Sequence, residues 1–273
     1  MVRGVLLLTG ATGRVGSALL PALLARPEPV RCLVRDPRRL GADRVRVQLA
    51  LGDLADPASF RHALRGVGTV VHLAASWRDQ PRARLEELDG EAAVRLAEAA
   101  EKAGVERFVL LSPLGAAAQH PLRAFRAKAA AEAAVLATAM PSAILRSSAI
   151  HGPGDRTPPV LAGRGDAPVQ PIAAADVAAC VLAALERPGV HDLAGPHTMH
   201  WRTYARVLRG HRPLRVPPAL LRPALRGYAA VAGPVATLTW DEAERTSAPM
   251  TAAGGTAGAE ALGILPRPLL TVR

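Results

Sequence analysis

The sequence predicts an α/β fold built on a doubly wound parallel sheet with a small C-terminal substrate lobe, on three observations. Short apolar runs alternate with longer helical patterns, a glycine-rich turn follows the first apolar run, and the rhythm changes after Gly195-Pro196. In order, strands are expected at 5–9, 30–34, 45–51, 69–74, 107–111 and 143–146, and helices at 15–25, 57–64, 84–103 and 126–139. The last two helices are rich in Ala, Glu and Leu, which lose little side-chain freedom in a helix. Residues 153–171, rich in Gly, Pro and Arg, are expected to form a mobile loop at a pocket mouth. A helix resumes at 175–185, and Arg- and Pro-rich short helices follow. Residues 251–258 are expected as a flexible connection to a last turn at 262–270. The expected division is 1–195 for the sheet domain and 196–273 for the lobe.

At 273 residues, 49% hydrophobic and 21% charged, with 24 Gly and 24 Pro, the chain is neither disordered, collagen-like nor a disulfide scaffold. The net charge of +11 raises the question of a nucleic-acid partner. The basic residues are spread along the chain, nearly all Arg, with Lys102 and Lys128 the only lysines. No aromatic-studded basic stripe or recognition helix accompanies them, so no nucleic-acid partner is expected. Cys32 and Cys180 lie far apart and outside any Cys-x-x-Cys pair, which indicates neither zinc nor a disulfide framework and fits a cytoplasmic protein. The run 5–8 is too short for a signal peptide, and 227–240 is broken by Gly233-Pro234. No membrane span is expected, and an Arg-flanked surface helix in that region is left open.

The first strand runs into Gly10-Ala11-Thr12-Gly13-Arg14-Val15-Gly16. Glycines let a backbone turn tightly and approach a pyrophosphate, and the helix start beyond offers unpaired N–H groups and a positive dipole end. A buried strand before and an amphipathic helix after supply the context of a Rossmann-like dinucleotide loop; the alternative is a tight turn that holds no ligand. At the end of strand two, Arg35 precedes Asp36. An arginine there suits a 2′-phosphate, and Arg14 adds a second cation, so NADP(H) is favoured over NAD(H); the alternative is two solvated arginines. Asp53 could accept from an adenine amino group or cap the following turn.

Several further motifs occur in a telling order: Gly52-Asp53-Leu54, His72-Leu73-Ala74-Ala75, Leu111-Ser112, Lys128, Ile144-Leu145-Arg146, His151-Gly152-Pro153, Ala175-Asp176-Val177 and Asp192-Leu193-Ala194-Gly195-Pro196. Together they resemble the atypical and extended branches of the short-chain dehydrogenase/reductase superfamily, the NAD(P)-binding epimerase/dehydratase-like proteins. They are similar to the isoflavone-reductase-like and complex I accessory-subunit-like members. The resemblance implies a cofactor site of Gly10 to Gly16, Arg35, Asp53, Leu54, Leu73, Ala74, Ala75 and Lys128. It also implies a Ser, a Tyr and a Lys in Tyr-x-x-x-Lys as the active site. Ser112 and Lys128 match two of the three, but Ala124 stands four residues before Lys128, and Tyr204 and Tyr228 lie in the lobe.

Alanine cannot donate a proton, so another group must serve or no reduction occurs. Lys128 can carry the acid/base role, as the resembling isoflavone-reductase-like branch implies, or hold a ribose only. His120, in the loop between Ser112 and Lys128, is a secondary candidate or a surface histidine, and His151 another or part of a pocket wall. Ser147, Ser148 and Tyr204 complete that set. His191, His197 and His200 have irregular spacing, and no metal is expected. There is no Gly-x-Ser-x-Gly elbow of a hydrolase.

Three functions fit this inventory. The first is an NADP(H)-dependent oxidoreductase acting on a small organic carbonyl or enone, with Lys128 and Ser112 in place of a tyrosine-centred site. The second is a non-redox cyclase, isomerase or dehydratase with a structural dinucleotide. The third is a non-catalytic NADP(H)-binding sensor, assembly factor or scaffold. A substrate-sized apolar pocket above Ser112 would favour the enzymes. A homodimer through the Ala-rich helices is left open.

Overall fold

The computed structural model describes residues 4–80, 83–155 and 157–269. The chain opens with β1 (Val5–Thr9), α1 (Arg14–Leu24), β2 (Val30–Val34), β3 (Gln48–Leu51), the single turn α2 (Pro57–Phe60) and β4 (Val67–His72). It continues with α3 (Ala92–Lys102), β5 (Arg107–Pro113), α4 (Arg123–Ala137) and β6 (Ser142–Ser147). Three two- or three-residue strands follow, β7 (Ile150–His151), β8 (Val160–Ala162) and β9 (Pro168–Val169), then β10 (Ile172–Ala173), α5 (Ala174–Ala184) and β11 (Gly189–Leu193). The last part carries β12 (Met199–His200), α6 (Trp201–Arg209), β13 (Leu214–Val216), α7 (Pro218–Ala232), α8 (Trp240–Glu244) and α9 (Ala257–Glu260).

Seven strands form one sheet in the order β11-β6-β5-β4-β1-β2-β3, all parallel. Parallel neighbours require crossover helices, and these cover both faces. On one face α1 and α5 bury Leu19, Leu23, Val177 and Val181 against β1 and β2; on the other, α3 and α4 bury Leu96, Ala100, Ala131 and Val135 against β4 and β5. The chain winds in opposite directions from β1, to β2 on one side and β4 on the other. The carboxyl ends of β1 and β4 therefore flank the switch point, where this architecture leaves a crevice.

Several expectations need correction. Strand β3 begins at Gln48, because residues 37–45 form a 3₁₀ segment that turns Leu40 inward and bends at Gly41. The expected helix 84–103 is a π turn (Glu87–Glu91) running into α3. Asp89 and Gly90 are poor helix formers, and the missing Cβ of Gly90 lets the turn pack on Ala127 of α4. The segment expected as a mobile loop is tied down: β8 pairs with β13, β9 pairs with β12, and Gln170 donates to the Met250 carbonyl. Nor is 251–258 a free connection, since a side chain at Gly258 would strike the Asp192 backbone of β11. Ala259 and Leu262 join the main core; Leu270 lies outside the described residues.

Beyond β11, Trp201 and Tyr204 pack in one apolar cluster with Leu85, Leu114 and Phe125, and Leu221, Leu225 and Ala243 in another with Ala162. Arg123, at the start of α4, pins α8 to the sheet domain. Its guanidinium donates to both carboxylate oxygens of Asp241 on α8 (2.7 and 2.6 Å), and to Glu86 (3.0 Å) and Asp79 (2.8 Å).

Candidate functional site

The loop after β1 builds one wall of a cleft of about 750 Å³. Gly10 adopts φ +75°, and a Cβ there would sit 2.7 Å from the Ala74 nitrogen, so only glycine lets this loop meet the one after β4. Helix α1 starts at Gly13 with no side-chain cap and no acid in its first turn, so no side chain competes with an anion for its first N–H groups. Gly10, Ala11, Thr12, Gly13, Arg14, Arg35, Asp53, Leu54, Leu73, Ala74 and Ala75 all line this cleft. Val15 and Gly16 do not. They lie buried behind it, where a Cβ on Gly16 would collide with the Gly10 carbonyl. A backbone cradle that any side chain would fill is what a pyrophosphate requires, so these residues fit a dinucleotide.

On the cleft wall beyond β2, Arg35 donates to Gln80 Oε1 at 2.6 Å, and Gln80 in turn donates to Ser76 Oγ at 3.0 Å. Asp36 accepts from the Arg38 N–H and so caps the 3₁₀ segment. Asp53 accepts from the Ala55 N–H at 3.1 Å, capping its turn while remaining on the cleft wall. Arg14 reaches across to the loop after β7, donating to the Ile150 and Gly154 carbonyls and lying 3.6 Å from Asp155.

The other end of the site is built from buried charge. Lys128 is 1% exposed, and its Nζ donates to the Ala74 carbonyl at 3.4 Å. Burial lowers its pKa; Asp89 and Glu132 pull the other way. Asp89, on the π turn, accepts from the Ser76 and Trp77 N–H groups and lines the cleft, and burial raises its pKa against the pull of Lys128. Glu132 holds Arg146 through two hydrogen bonds of 2.9 and 2.7 Å, which extends the alternation of charge from the cleft wall outward. His72 is fully buried beside them. Its Nδ1 pairs with Thr9 Oγ1 at 2.8 Å, and burial, helped by Lys128, pushes its pKa down to about 3. Ser112 ends β5 with a buried Oγ that has no hydrogen-bond partner.

Ala124 is buried in an apolar cluster with Phe125, Leu114 and Trp201. The ring of His120 stacks on Phe125 at 4.3 Å, its Nδ1 accepts from the Leu122 N–H, and burial lowers its pKa. His151 is half-buried on β7, its Nε2 shielded and unpaired, its pKa lowered by burial. Tyr204 is buried, with its hydroxyl 3.5 Å from Asp155; Ser147 donates to the Ser148 carbonyl and Ser148 to that of Met250. Ser112, Lys128, His120 and His151 line neither this cleft nor a second, arginine-lined cleft of about 780 Å³ between α4 and α7. Among the described residues no three His, Cys, Asp or Glu side chains converge as a metal requires.

Sequence reading passed over Asp89, Trp77, Glu242 and Arg245. The Arg245 guanidinium lies 4.9 Å above the Trp77 ring, Nε without a partner, while Glu242 of α8 lines the cleft. Only Asp89 left a signal: an Asp-Gly pair inside an otherwise strong helical pattern.

The family model described as NAD(P)H-binding matches residues 10–188. The chain belongs to that NAD(P)H-binding family. The sterol demethylase protein B of Methylococcus capsulatus is 42% identical over 118 residues, which is 42% of this chain and 36% of that protein. The chain thus matches about a third of the length of that relative. The (4-alkanoyl-5-oxo-2,5-dihydrofuran-3-yl)methyl phosphate reductase of Streptomyces griseus is 34% identical over 227 residues, 77% of this chain and 75% of the reductase. Among solved structures, the UDP-glucose 4-epimerase of Thermotoga maritima superposes with TM-score 0.70 at 18% identity, over 98% of this chain and 95% of the epimerase. The NAD(P)H-binding fold here is thus that of the epimerase and short-chain dehydrogenase/reductase superfamily, and reductases stand among its relatives.

Proposed function

We propose that this protein is an NADP(H)-dependent oxidoreductase acting on a small organic carbonyl or enone, with Lys128 and Ser112 in place of a tyrosine-centred site. The observation that carries this reading is Lys128 itself: a buried lysine of lowered pKa, on the same helix face as Ala124 and beside the cleft wall. Ser112 Oγ, His151 Nε2 and Arg245 Nε are shielded polar atoms that lack partners. Buried polar groups are seldom left unpaired, so these support a polar occupant. The reductase relatives point the same way. Arg35 and Arg39, on the ribose-end wall, support a 2′-phosphate and hence NADP(H).

The bound dinucleotide supplies the hydride. Lys128 holds a proton for the substrate oxygen, and its desolvation makes that proton easier to give up than an ordinary lysine's. Asp89 lies within its electrostatic reach and favours the ammonium form against that desolvation. Ser112 Oγ, buried and without a partner, is assigned the hydrogen bond to the same oxygen.

The test is a titration with NADPH and NADH, followed by NADPH oxidation against a carbonyl and enone panel by the native chain and Lys128→Met. Micromolar NADPH binding with turnover lost in the variant is expected. NADPH binding with no oxidation on any carbonyl or enone would overturn the reading. It would leave the non-catalytic sensor, which one observation favours: Ser112 and Lys128 line neither cleft.

A further inference from the structure

The second cleft, between α4 and α7, encloses about 780 Å³, the size of a small-molecule site. Six arginines line it, Arg35, Arg78, Arg123, Arg126, Arg222 and Arg226, against three acids, Asp79, Asp241 and Glu244. The arginines come from four separate parts of the chain: the end of β2, the loop after β4, the first turn of α4, and α7. Cations gathered in this way repel one another unless counter-charge inside the cleft or on a ligand offsets them.

The counter-charge inside the cleft is largely taken by one residue. Arg123 holds Asp241 at 2.7 and 2.6 Å and Asp79 at 2.8 Å, with Glu86 at 3.0 Å. Arg78 donates to the Ala236 carbonyl at 2.8 Å and lies 4.0 Å from Glu242. The other four meet no carboxylate. Arg35 donates to Gln80, and Arg126 to the carbonyls of His120 and Pro121 at 2.8 and 2.7 Å. Arg222 lies over the Trp240 ring at 5.8 Å, with Glu244 in its electrostatic reach. Among the described residues Arg35, Arg126, Arg222 and Arg226 make no ion pair. Helix α4 also starts at this cleft, with no side-chain cap and no acid in its first turn, so its dipole adds to the positive field.

Four unpaired guanidinium groups around one cleft exceed what a single carboxylate can match. They suit a chain of phosphates, whose oxygens arginines hold in bidentate pairs. Arg35, Arg78 and Gln80 line the dinucleotide cleft as well, so the two clefts share a wall, and one guanidinium there cannot serve a phosphate on each side at full strength. We infer that the α4/α7 cleft binds a polyphosphate group, free or carried on a small molecule, and that this group competes with the 2′-phosphate of NADP(H) for Arg35. The anion binding rests on the lining of the cleft alone; the competition rests on the NADP(H) reading above.

The experiment is calorimetric titration of the full chain with tripolyphosphate and with ATP, at about 150 mM NaCl to screen diffuse attraction. Two charge-matched variants accompany the native chain: Arg222→Gln/Arg226→Gln, and the remote pair Arg61→Gln/Arg65→Gln, which lines neither cleft. Binding of both probes is expected in the native chain and the remote pair, and binding at least about tenfold weaker in the Arg222/Arg226 pair, whose thermal unfolding should be unchanged. NADPH and NADH titrations in the presence of tripolyphosphate then read the shared wall. NADPH should weaken at least about threefold and NADH not at all, with the effect gone in Arg35→Ala. No binding by the native chain, or equal loss in both arginine pairs, would overturn the proposal, the second by reducing it to net charge. Equal weakening of NADH would place the anion in the Gly10–Gly16 cradle and overturn it as well. NADPH affinity indifferent to bound tripolyphosphate would overturn the sharing of Arg35. Failure of NADPH to bind at all would remove the competition together with the NADP(H) reading, whereas the calorimetric arm decides the cleft by itself.

Discussion

The two ends of the candidate site are made in different ways. The end under the β1 loop is open and built from backbone: glycines, an uncapped helix start and carbonyls fastened by Arg14. The end around Ser112 and Lys128 is closed and built from side chains: a buried run of alternating charge on one side of α4, and an apolar cluster where the tyrosine would stand. A backbone cradle tolerates almost no substitution and so keeps a motif. A side-chain cluster instead draws on distant segments, as the Arg245 guanidinium over the Trp77 ring does.

The contrast can be broken most severely at the backbone end. Gly16→Val drives a side chain into the Gly10 carbonyl, and is expected to cost about 3 kcal/mol or more and to abolish NADPH binding, read by thermal unfolding and titration. A variant that binds NADPH normally would show the loop to be far more pliant than its contacts imply. Next in size is His72, neutral between the two ends. Its folded pKa of about 3 lies below the ordinary 6.5, so the unfolded chain binds the extra proton and stability falls as pH drops through that window. The loss is on the order of a few kcal/mol, and His72→Asn should flatten the curve measured by urea unfolding between pH 7 and pH 4.

At the side-chain end, Lys128→Met is expected to lower NADPH-dependent turnover by about 10²-fold or more while changing NADPH affinity far less. In the native chain, turnover should decline as pH rises through the depressed pKa of Lys128, earlier than for an ordinary lysine. Ala124→Tyr probes the same end from the opposite direction. The position is 5% exposed and packed, so restoring the tyrosine should destabilise by about 1–3 kcal/mol without raising activity, as thermal unfolding and the same assay would read. A gain in turnover would mean that the cluster opens for substrate. The smallest effect concerns specificity: Arg35→Ala should weaken NADPH about tenfold and leave NADH unchanged in parallel titrations, because a charge-assisted phosphate contact is lost.

What the amino-acid sequence determined by itself was the periodic and the local. The strand runs of β1, β2, β4, β5 and β6, the Gly10–Gly16 turn and the position of Lys128 were all legible, because burial period and glycine geometry act over a few residues. So was the absence of a tyrosine at Ala124. Only the tertiary structure decided that Gly258 is clamped against β11, that β8 and β9 tie the 153–171 segment to the lobe, and that Asp89 lies within electrostatic reach of Lys128. It also decided which side of α7 is buried, since the stretch reads as short helices until Leu221 and Leu225 meet Ala162 and Ala243. The physical reason is common to all four. Each depends on groups far apart in the chain, whose meeting costs loop entropy that no local pattern records and is offset only by the assembled core.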